Sequence, residues 1–316
     1  MDTTDFFNDP GGLFWHVSVE DFWFEFVEIT QSISDGLLFG CIYALIGIGF
    51  TLIFGTMHKL NMAFAAASIA GAYAGLAVLA FVDVPAILVF VASALASGAI
   101  GYIVYIVCFR FIPVDKPLAA LMTTVGALFF IDEAIIHATN ASPLAYPAIF
   151  DDVLIEMPPY TIRGDLLFVF VVCLLSMLVL LFVLYRTRLG LATRAVSQQN
   201  VAAQLCGIDV HKTNAQTFVV AGVLGGVAGA MTAASVGVLS PLITVPLTVK
   251  GLIVTVIGGM GSIPGAIVAG LMVGAFENVF LYIRGVNERD MYVLLLLFIF
   301  LVFRPDGIFG KSTVRD

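Results

Sequence analysis

Long apolar runs separated by short polar segments make up most of this chain. The runs predict spanning helices near residues 34–55, 60–81, 85–109, 117–137, 165–185, 215–236, 247–260, 264–284 and 290–304. Several exceed roughly 18 residues, the length that a helix needs to cross a hydrocarbon core about 30 Å thick. A β-barrel would instead show short segments of alternating hydrophobicity. The pattern therefore predicts an all-α polytopic membrane protein with about eight to ten transmembrane helices, some of them broken by Gly and Pro.

The composition indicates the same class. Hydrophobic residues make up 60% of the chain and charged residues 11%, whereas a soluble domain carries about 25% charged residues. The four cysteines and four histidines are scattered, without the spacing of a disulfide framework, a metal site or a catalytic group. We expect no catalytic residue, no bound metal and no nucleic-acid partner.

Charge is distributed unevenly along the chain. Residues 1–58 contain eight acidic residues and no Lys or Arg. Most basic residues instead fall in alternate connections, at Lys59, at Arg110 and Lys116, between 186 and 212, and from 304 onward. Because Lys and Arg favour the cytoplasmic side, this predicts an outside N-terminus, a cytoplasmic C-terminus and an odd number of crossings. Arg284 and Arg289 are exceptions, since the scheme places them outside.

We divide the chain into three parts. Residues 1–32 mix aromatic and acidic residues, including Trp15 and Trp23, which predicts an extracytoplasmic segment with an amphipathic helix at the membrane interface. Residues 33–310 form the transmembrane domain. Residues 311–316 form a cytoplasmic tail.

A polar island, residues 185–217, interrupts the second half of the chain. It carries four basic residues (Arg186, Arg188, Arg194 and Lys212) against a single acid, Asp209. Within it, residues 202–207 read Ala-Ala-x-x-x-Gly between polar flanks. This composition predicts a short helix on the positive, cytoplasmic face, where a soluble partner can reach it.

Residues 236–265 combine prolines and glycines with apolar sequence. Broken helices expose backbone polar groups, which are tolerated only where protein or a water-filled cavity covers them. We expect this region either to line a pathway or to pack at the core of the bundle. Its broken-helix motif consists of Gly258, Gly259, Gly261, Ser262, Pro264 and Gly265.

Two charged residues lie within apolar runs, where an unpaired charge is costly. Lys250 either lines a pathway or gate, or extends to the membrane interface. Glu277 either faces the pathway or makes a structural hydrogen bond to a neighbouring helix. Polarity within apolar helices makes five residues candidates for a substrate pathway: Asn61, Thr123, Thr124, Lys250 and Glu277.

Glycines spaced by four residues recur in the apolar runs. Examples are the pairs Gly36/Gly40 and Gly270/Gly274. Small residues one turn apart let helix backbones approach closely in lipid. The pairs predict bundle packing, with helices that slide during transport as the alternative.

Four segments carry a family resemblance: GLLFGCIYALIGIGFTLIFG (36–55), LNMAFAAASIAGAY (60–73), AAQLCGI (202–208) and GGMGSIPGAIVAG (258–270). Over roughly residues 33–310 the chain resembles the permease subunits of high-affinity branched-chain amino acid ABC importers. The broader family includes permeases for urea, amides and related solutes. The family commonly shows Asn-Phe-Ala-His-Gly after its second tight turn, whereas this chain has Asn-Met-Ala-Phe-Ala at 61–65. The identity of the solute therefore stays open.

The resemblance implies a non-catalytic permease in the bacterial cytoplasmic (inner) membrane that moves a branched-chain amino acid or a similar small polar solute inward. It also implies partners besides the bilayer: a second related permease, two cytosolic ABC ATPases and a periplasmic solute-binding protein. The binding protein would meet loop 138–164 and the acidic N-terminal segment. ATP and Mg would be bound by the ATPases, and no cofactor by this chain. The phosphate-loop look-alike at 307–312 has Pro305 where the motif needs Gly.

The same resemblance implies that residues 186–214 form the coupling loop that docks the ATPase. Candidate docking residues are Val201, Ala202, Ala203 and Gly207. Val201 stands where the wider motif usually has Glu.

Two other functions stay open. An ion-coupled secondary transporter would place intramembrane acids in both halves, whereas only Glu277 qualifies. A passive small-solute channel would not need the basic island.

Overall fold

The structure is a computed structural model that describes residues 19–81, 85–112, 116–147, 154–157, 160–286 and 288–310. Predictions for residues 1–18, including Trp15, and for the tail 311–316 lie outside these ranges. The helices are α1 (Val19–Met57), α2 (Phe64–Phe81), α3 (Ala86–Cys108), α4 (Pro117–Thr139), α5 (Gly164–Arg186), α6 (Arg188–Gln198), α7 (Asn200–Leu205), α8 (Val210–Val236), α9 (Thr244–Gly258), α10 (Ile263–Arg284) and α11 (Arg289–Phe303). The strands are β1 (Leu144–Ala145), β2 (Leu154–Met157), β3 (Tyr160–Arg163) and β4 (Val238–Leu239).

The all-α polytopic prediction is confirmed. Within the described ranges, seven helices are long and apolar enough to cross a membrane. They are α1, α3, α4, α5, α8, α9 with the turn before it, and α10. Two shorter apolar helices, α2 and α11, have 18 and 15 residues. Each of the nine predicted spanning segments corresponds to one of these helices.

The first helix extends further than the sequence predicts. α1 runs for 39 residues without a break, whereas we expected a boundary near residue 32. Residues 19–35 contain neither Gly nor Pro, so nothing interrupts the helical hydrogen bonds. The described part of the amphipathic segment is therefore continuous with the first spanning helix, and its Trp23 side chain is exposed.

Glycines let the central helices approach one another closely. A Cβ at Gly36 would lie 2.7 Å from the Cα of Ala275 on α10, and one at Gly40 would lie 2.9 Å from the carbonyl oxygen of Gly270. On α8, a Cβ at Gly222 would lie 2.7 Å from a backbone oxygen of α3. The packing interpretation of the spaced glycines is confirmed at these positions.

Contacts between connections define two ends of the bundle. At one end the Nζ of Lys59, after α1, donates to the carbonyl oxygen of Ile112, after α3, at 3.2 Å. The polar island lies at this end, which we call the island end. At the other end the Nε2 of Gln31 donates to the Oγ1 of Thr161 on β3 at 3.0 Å. We call it the hairpin end, after the β2–β3 hairpin.

Two small antiparallel sheets lie at the hairpin end and were not predicted individually. One joins β1 to β4, and the other joins β2 to β3. Their paired residues include Leu144 with Leu239, Ala145 with Val238, Leu154 with Arg163, and Met157 with Tyr160. The described parts of the predicted ordered loop, 138–164, are thus tied to the helices on either side.

Candidate functional site

A buried ion pair joins α9 to α10. The Nζ of Lys250 lies 2.7 Å from the Oε1 of Glu277, and the two side chains are 9% and 4% exposed. The lysine also donates to the hydroxyl of Tyr43 on α1 at 3.3 Å. Removing a single charge from water costs several kcal/mol unless a partner and hydrogen bonds compensate. Each charge therefore accounts for the presence of the other, and the structure brings these two predicted pathway residues together.

Two residues at the start of α11 complete a charge cluster, which consists of Lys250, Glu277, Arg289 and Asp290. The Oδ1 of Asp290 lies 3.1 Å from the Nζ of Lys250, and the Nε of Arg289 lies 3.5 Å from the Oε1 of Glu277. Two positive and two negative charges leave the cluster with no net formal charge. In the sequence, Arg289 was notable only because the predicted topology places it outside, against the cytoplasmic preference of Lys and Arg. That exception was the available signal that it belongs to the charge cluster.

A cavity of about 210 Å³ lies between the charge cluster and the hairpin end. Its charged lining residues are Asp35, Arg163, Glu277 and Arg289, and its apolar ones include Phe39 and Leu281. The Oε2 of Glu277 is buried and has no hydrogen-bond partner among the described residues. A buried polar atom left unpaired costs about 1–3 kcal/mol, and more when it is charged. The cavity is therefore a candidate polar binding site.

The other three predicted pathway residues lie at the island end. The Oδ1 of Asn61 accepts a hydrogen bond from the backbone N–H of Ala63 at 3.2 Å. The Oγ1 of Thr124 accepts one from the N–H of Met62 at 3.3 Å. Thr123 donates to backbone carbonyls of α4 and α3 instead. Among the described residues, no hydrogen bond or ion pair joins these three to the charge cluster.

The broken-helix motif makes the turn between α9 and α10. Gly259 and Gly261 have φ values of 96° and 93°, which only glycine adopts without steric cost. The Oγ of Ser262 accepts a hydrogen bond from the N–H of Gly265 at 3.2 Å and caps α10. Pro264 lies in the first turn of α10, where its missing N–H is not needed. Four of the six motif residues thus have a local conformational reason.

The segment after α11 packs against this turn. The N–H of Ile308 donates to the carbonyl oxygen of Ile257 at 2.8 Å, and the N–H of Phe309 to that of Gly258 at 3.2 Å. Gly307, with φ of 81°, lies against the backbone of Gly259. Carbonyl groups left open at the end of α9 are therefore satisfied within the protein, as a broken helix in lipid requires.

The polar island folds into α6, α7 and the start of α8. The Oδ1 of Asp209 accepts a hydrogen bond from the N–H of Lys212 at 3.1 Å and caps α8. This backbone hydrogen bond, and the nearby Lys212 ammonium, hold the pKa of Asp209 below its usual range. The cap keeps the short helices next to the first turn of a spanning helix.

The docking candidates divide between the two faces of α7. Val201 is 65% exposed and Ala202 is also exposed, whereas Ala203 is 4% exposed and packs against the bundle. Gly207, just after the helix, is exposed and has φ of 83°. Leu205, which the sequence analysis did not select, is 85% exposed. Ala203 therefore anchors α7, and the exposed face consists of its neighbours.

Comparison with known proteins assigns the chain to a family. The family model for the permease component of the branched-chain amino acid transport system matches residues 32–303. The chain belongs to this permease family. As a family member with apolar helices of spanning length, it is a multi-pass membrane protein.

Several relatives of this permease carry related names. It is 30% identical over 303 residues to the high-affinity branched-chain amino acid transport system permease protein BraD of Pseudomonas aeruginosa, covering 92% of this chain and 99% of BraD. It is 28% identical to LivH of Escherichia coli over the same length, covering 92% and 98%. It also matches LivM of E. coli, with 29% identity over 154 residues, 47% of this chain and 36% of LivM.

The fold of this permease has a counterpart among solved structures. An inward-facing conformation of a putative metal-chelate type ABC transporter aligns with a TM-score of 0.50 and 15% identity. The alignment covers 87% of this chain and 85% of the other. At this identity the likeness concerns the fold alone.

Proposed function

We propose that this chain is the non-catalytic membrane subunit of an ABC importer that moves a branched-chain amino acid, or a similar small polar solute, into the cell. The observation that carries the proposal is the family match over residues 32–303. The names of the relatives, high-affinity branched-chain amino acid transport system permease proteins, support the substrate class. The exposed helix α7 supports the coupling to an ATPase.

The proposed complex contains a second related permease, two cytosolic ABC ATPases and a periplasmic binding protein. ATP and Mg are bound by the ATPases, and this chain binds no cofactor. The match to LivM, a permease of different length, supports a pair of unlike permeases. The subunit lies in the bacterial inner membrane, with residues 1–32 outside, 33–310 as the transmembrane domain and 311–316 in the cytoplasm.

Docking of the ATPase takes place on the exposed face of α7. This face is formed by Val201, Ala202 and Leu205. Gly207 follows the last turn of α7, and the buried Ala203 packs the helix against the bundle. Because α7 is followed directly by the capped start of α8, movement of the ATPase is transmitted to a spanning helix. ATP-driven closure of the two ATPases then moves the permease pair between inward-facing and outward-facing states.

An ion-coupled carrier is the weaker alternative. Such a carrier needs an intramembrane acid that exchanges an ion, and Glu277 is already paired with Lys250 at 2.7 Å. A passive channel has no use for an exposed helix at the island end. Neither alternative is favoured by a contact among the residues that the structure describes.

Co-purification from the native membrane in mild detergent tests the proposal. We expect the tagged wild-type chain to recover ATPase subunits and a second permease, and the Leu205→Arg variant to lose the ATPases because an arginine replaces the most exposed apolar side chain of α7. The matched control is Glu133→Arg, an exposed position at the hairpin end, which retains them. Recovery of wild-type chain alone under several mild conditions would overturn the proposal.

A further inference from the structure

We infer that the cavity beside the charge cluster is a binding site for the zwitterionic head and short apolar side chain of an α-amino acid. The inference rests on the proposed function and deepens it, since it names a place in this subunit where the solute is held and the groups that recognise it. The cavity lies inside a single permease subunit, between α1, α5, α10 and the start of α11.

The first step concerns the unpaired carboxylate oxygen. The Oε1 of Glu277 is taken by Lys250 and Arg289, at 2.7 and 3.5 Å. Its Oε2 has no partner among the described residues although the residue is 3% exposed and lines the cavity. A carboxylate oxygen accepts hydrogen bonds only, so a ligand group that pairs with this Oε2 must be a hydrogen-bond donor. An ammonium group supplies donors and a compensating charge together.

The second step concerns the balance of charge around the cavity. Two acids, Asp35 and Glu277, and two arginines, Arg163 and Arg289, line it. A purely cationic or purely anionic ligand would leave one pair of side chains facing a like charge. A ligand with both signs matches both pairs. Arg163 already donates to Asp165 at 3.0 Å and Arg289 contacts Glu277 at 3.5 Å, but a guanidinium has five N–H donors and retains others for the ligand. The arginine fork matches the planar geometry of a carboxylate, which assigns the carboxylate of the ligand to the arginine side.

The third step concerns size and the apolar wall. Sites for drug-sized ligands measure about 300–1,000 Å³, so a cavity of about 210 Å³ admits only a small solute. Phe39 and Leu281 supply an apolar surface beside the charged groups. Together these features fit a single amino acid with a short apolar side chain.

The fourth step concerns access. The side chains of Arg163 and Arg289 are 56% and 35% exposed, whereas that of Glu277 is 4% exposed. The arginines therefore stand toward the surface at the hairpin end and the carboxylate stands at the bottom. A zwitterion that enters from this end meets the arginines before its ammonium reaches Glu277.

The test uses the full-length chain in lipid nanodiscs and labelled L-leucine as the probe. We expect saturable binding that L-leucine displaces. Isopentylamine, which lacks the carboxylate, and 4-methylpentanoate, which lacks the ammonium, compete at least about tenfold more weakly, equivalent to about 1.4 kcal/mol. No displaceable binding, or equal competition by either analogue, overturns the inference and leaves the cavity as a site for water only.

Two variants with matched controls locate the site. Leu281→Trp fills the cavity and is expected to abolish binding, whereas Ile283→Trp, on the exposed face of the same helix turn, leaves it unchanged. Arg163→Gln is expected to weaken binding about tenfold or more, whereas Arg284→Gln, an exposed arginine outside the cavity lining, has no effect. Binding that tolerates Leu281→Trp, in a variant that elutes as a single folded species, overturns the assignment.

Co-purification of the same variants separates the two hypotheses. If ATPases accompany every variant and leucine binding does not respond to the cavity variants, the site is wrong and the importer stands. If no ATPase accompanies even the wild type while binding responds as expected, the importer is wrong and the binding site stands.

Discussion

Single side chains hold the hairpin half of the bundle together through charge. Lys250 contacts Glu277 and Asp290, and Glu277 also contacts Arg289. Replacing either of the two buried members, Lys250 or Glu277, leaves an uncompensated buried charge, and breaking such a pair costs about 3–5 kcal/mol. Neutrality of the whole group, more than any single contact, therefore determines whether the buried charges are tolerated.

We predict that Lys250→Met and Glu277→Gln each destabilise the protein strongly, and that the double variant is more stable than the sum of the two losses predicts. The double variant retains Arg289 beside Asp290 at 3.8 Å and is neutral again. Thermal unfolding of the detergent-solubilised protein, followed by size-exclusion fluorescence, measures the difference. Strictly additive losses would show that Lys250 and Glu277 are not energetically coupled.

The turn between α9 and α10 depends on backbone room. A Cβ at Gly265 would collide with the carbonyl oxygen of Gly258. The obstructing atoms belong to the backbone of Gly258 and not to the end of a flexible side chain, so the helices themselves would have to move apart. The glycines here are needed for close approach as much as for their φ values.

We predict that Gly265→Ala destabilises the protein by about 1–3 kcal/mol, the usual cost of overpacking. Gly126→Ala is the control, because a Cβ at that helical position has nothing within 4 Å. The control should be neutral or stabilising by up to about 1 kcal/mol, because Ala favours a helix over Gly. The measurement is the thermal unfolding midpoint of each variant. Equal midpoints would show that the turn between α9 and α10 opens easily.

Helices and turns differed in how far the sequence could predict them. Apolar length predicted the nine apolar helices, seven of which are long enough to cross a membrane among the described residues, because that signal is local and repeats over many residues. It did not predict the continuation of α1 to Val19, the β1–β4 pairing or the contact of Ile308 with Ile257. These depend on which segments meet in space. For the same reason Lys250 and Glu277 were recognised singly, while their partners on α11 were not.

Across the whole protein, the basic residues of the connections gather at the island end. Lys59 is tied to the connection after α3, and the island lies at the same end. Arg163, Arg284 and Arg289 lie at the opposite end, and Arg289 is paired with Glu277 and Asp290. The basic residues at the island end outnumber these three, so the distribution continues to predict a cytoplasmic island end.

We predict that an impermeant maleimide labels Cys206 only after permeabilisation, in cells that express this chain without its ATPases, because a docked ATPase would cover the thiol. Cys206 is exposed, whereas Cys41, Cys108 and Cys173 are buried. The unmodified chain therefore has one accessible thiol for labelling, at the island end. The control is a Cys206→Ser chain with Glu133→Cys at the hairpin end, which should be labelled in intact cells. Labelling of Cys206 without permeabilisation would reverse the orientation.

The segment after α11 pairs with the end of α9, and this pairing can form only after both partners have been synthesised. Ile257 is synthesised 51 residues before its partner Ile308 (308 − 257 = 51). At about 5–20 residues per second, synthesis of that interval takes a few seconds. During this period the segment after α11 cannot yet donate to the carbonyl groups of Ile257 and Gly258. Maturation of the turn therefore waits until α10 and α11 have both been made.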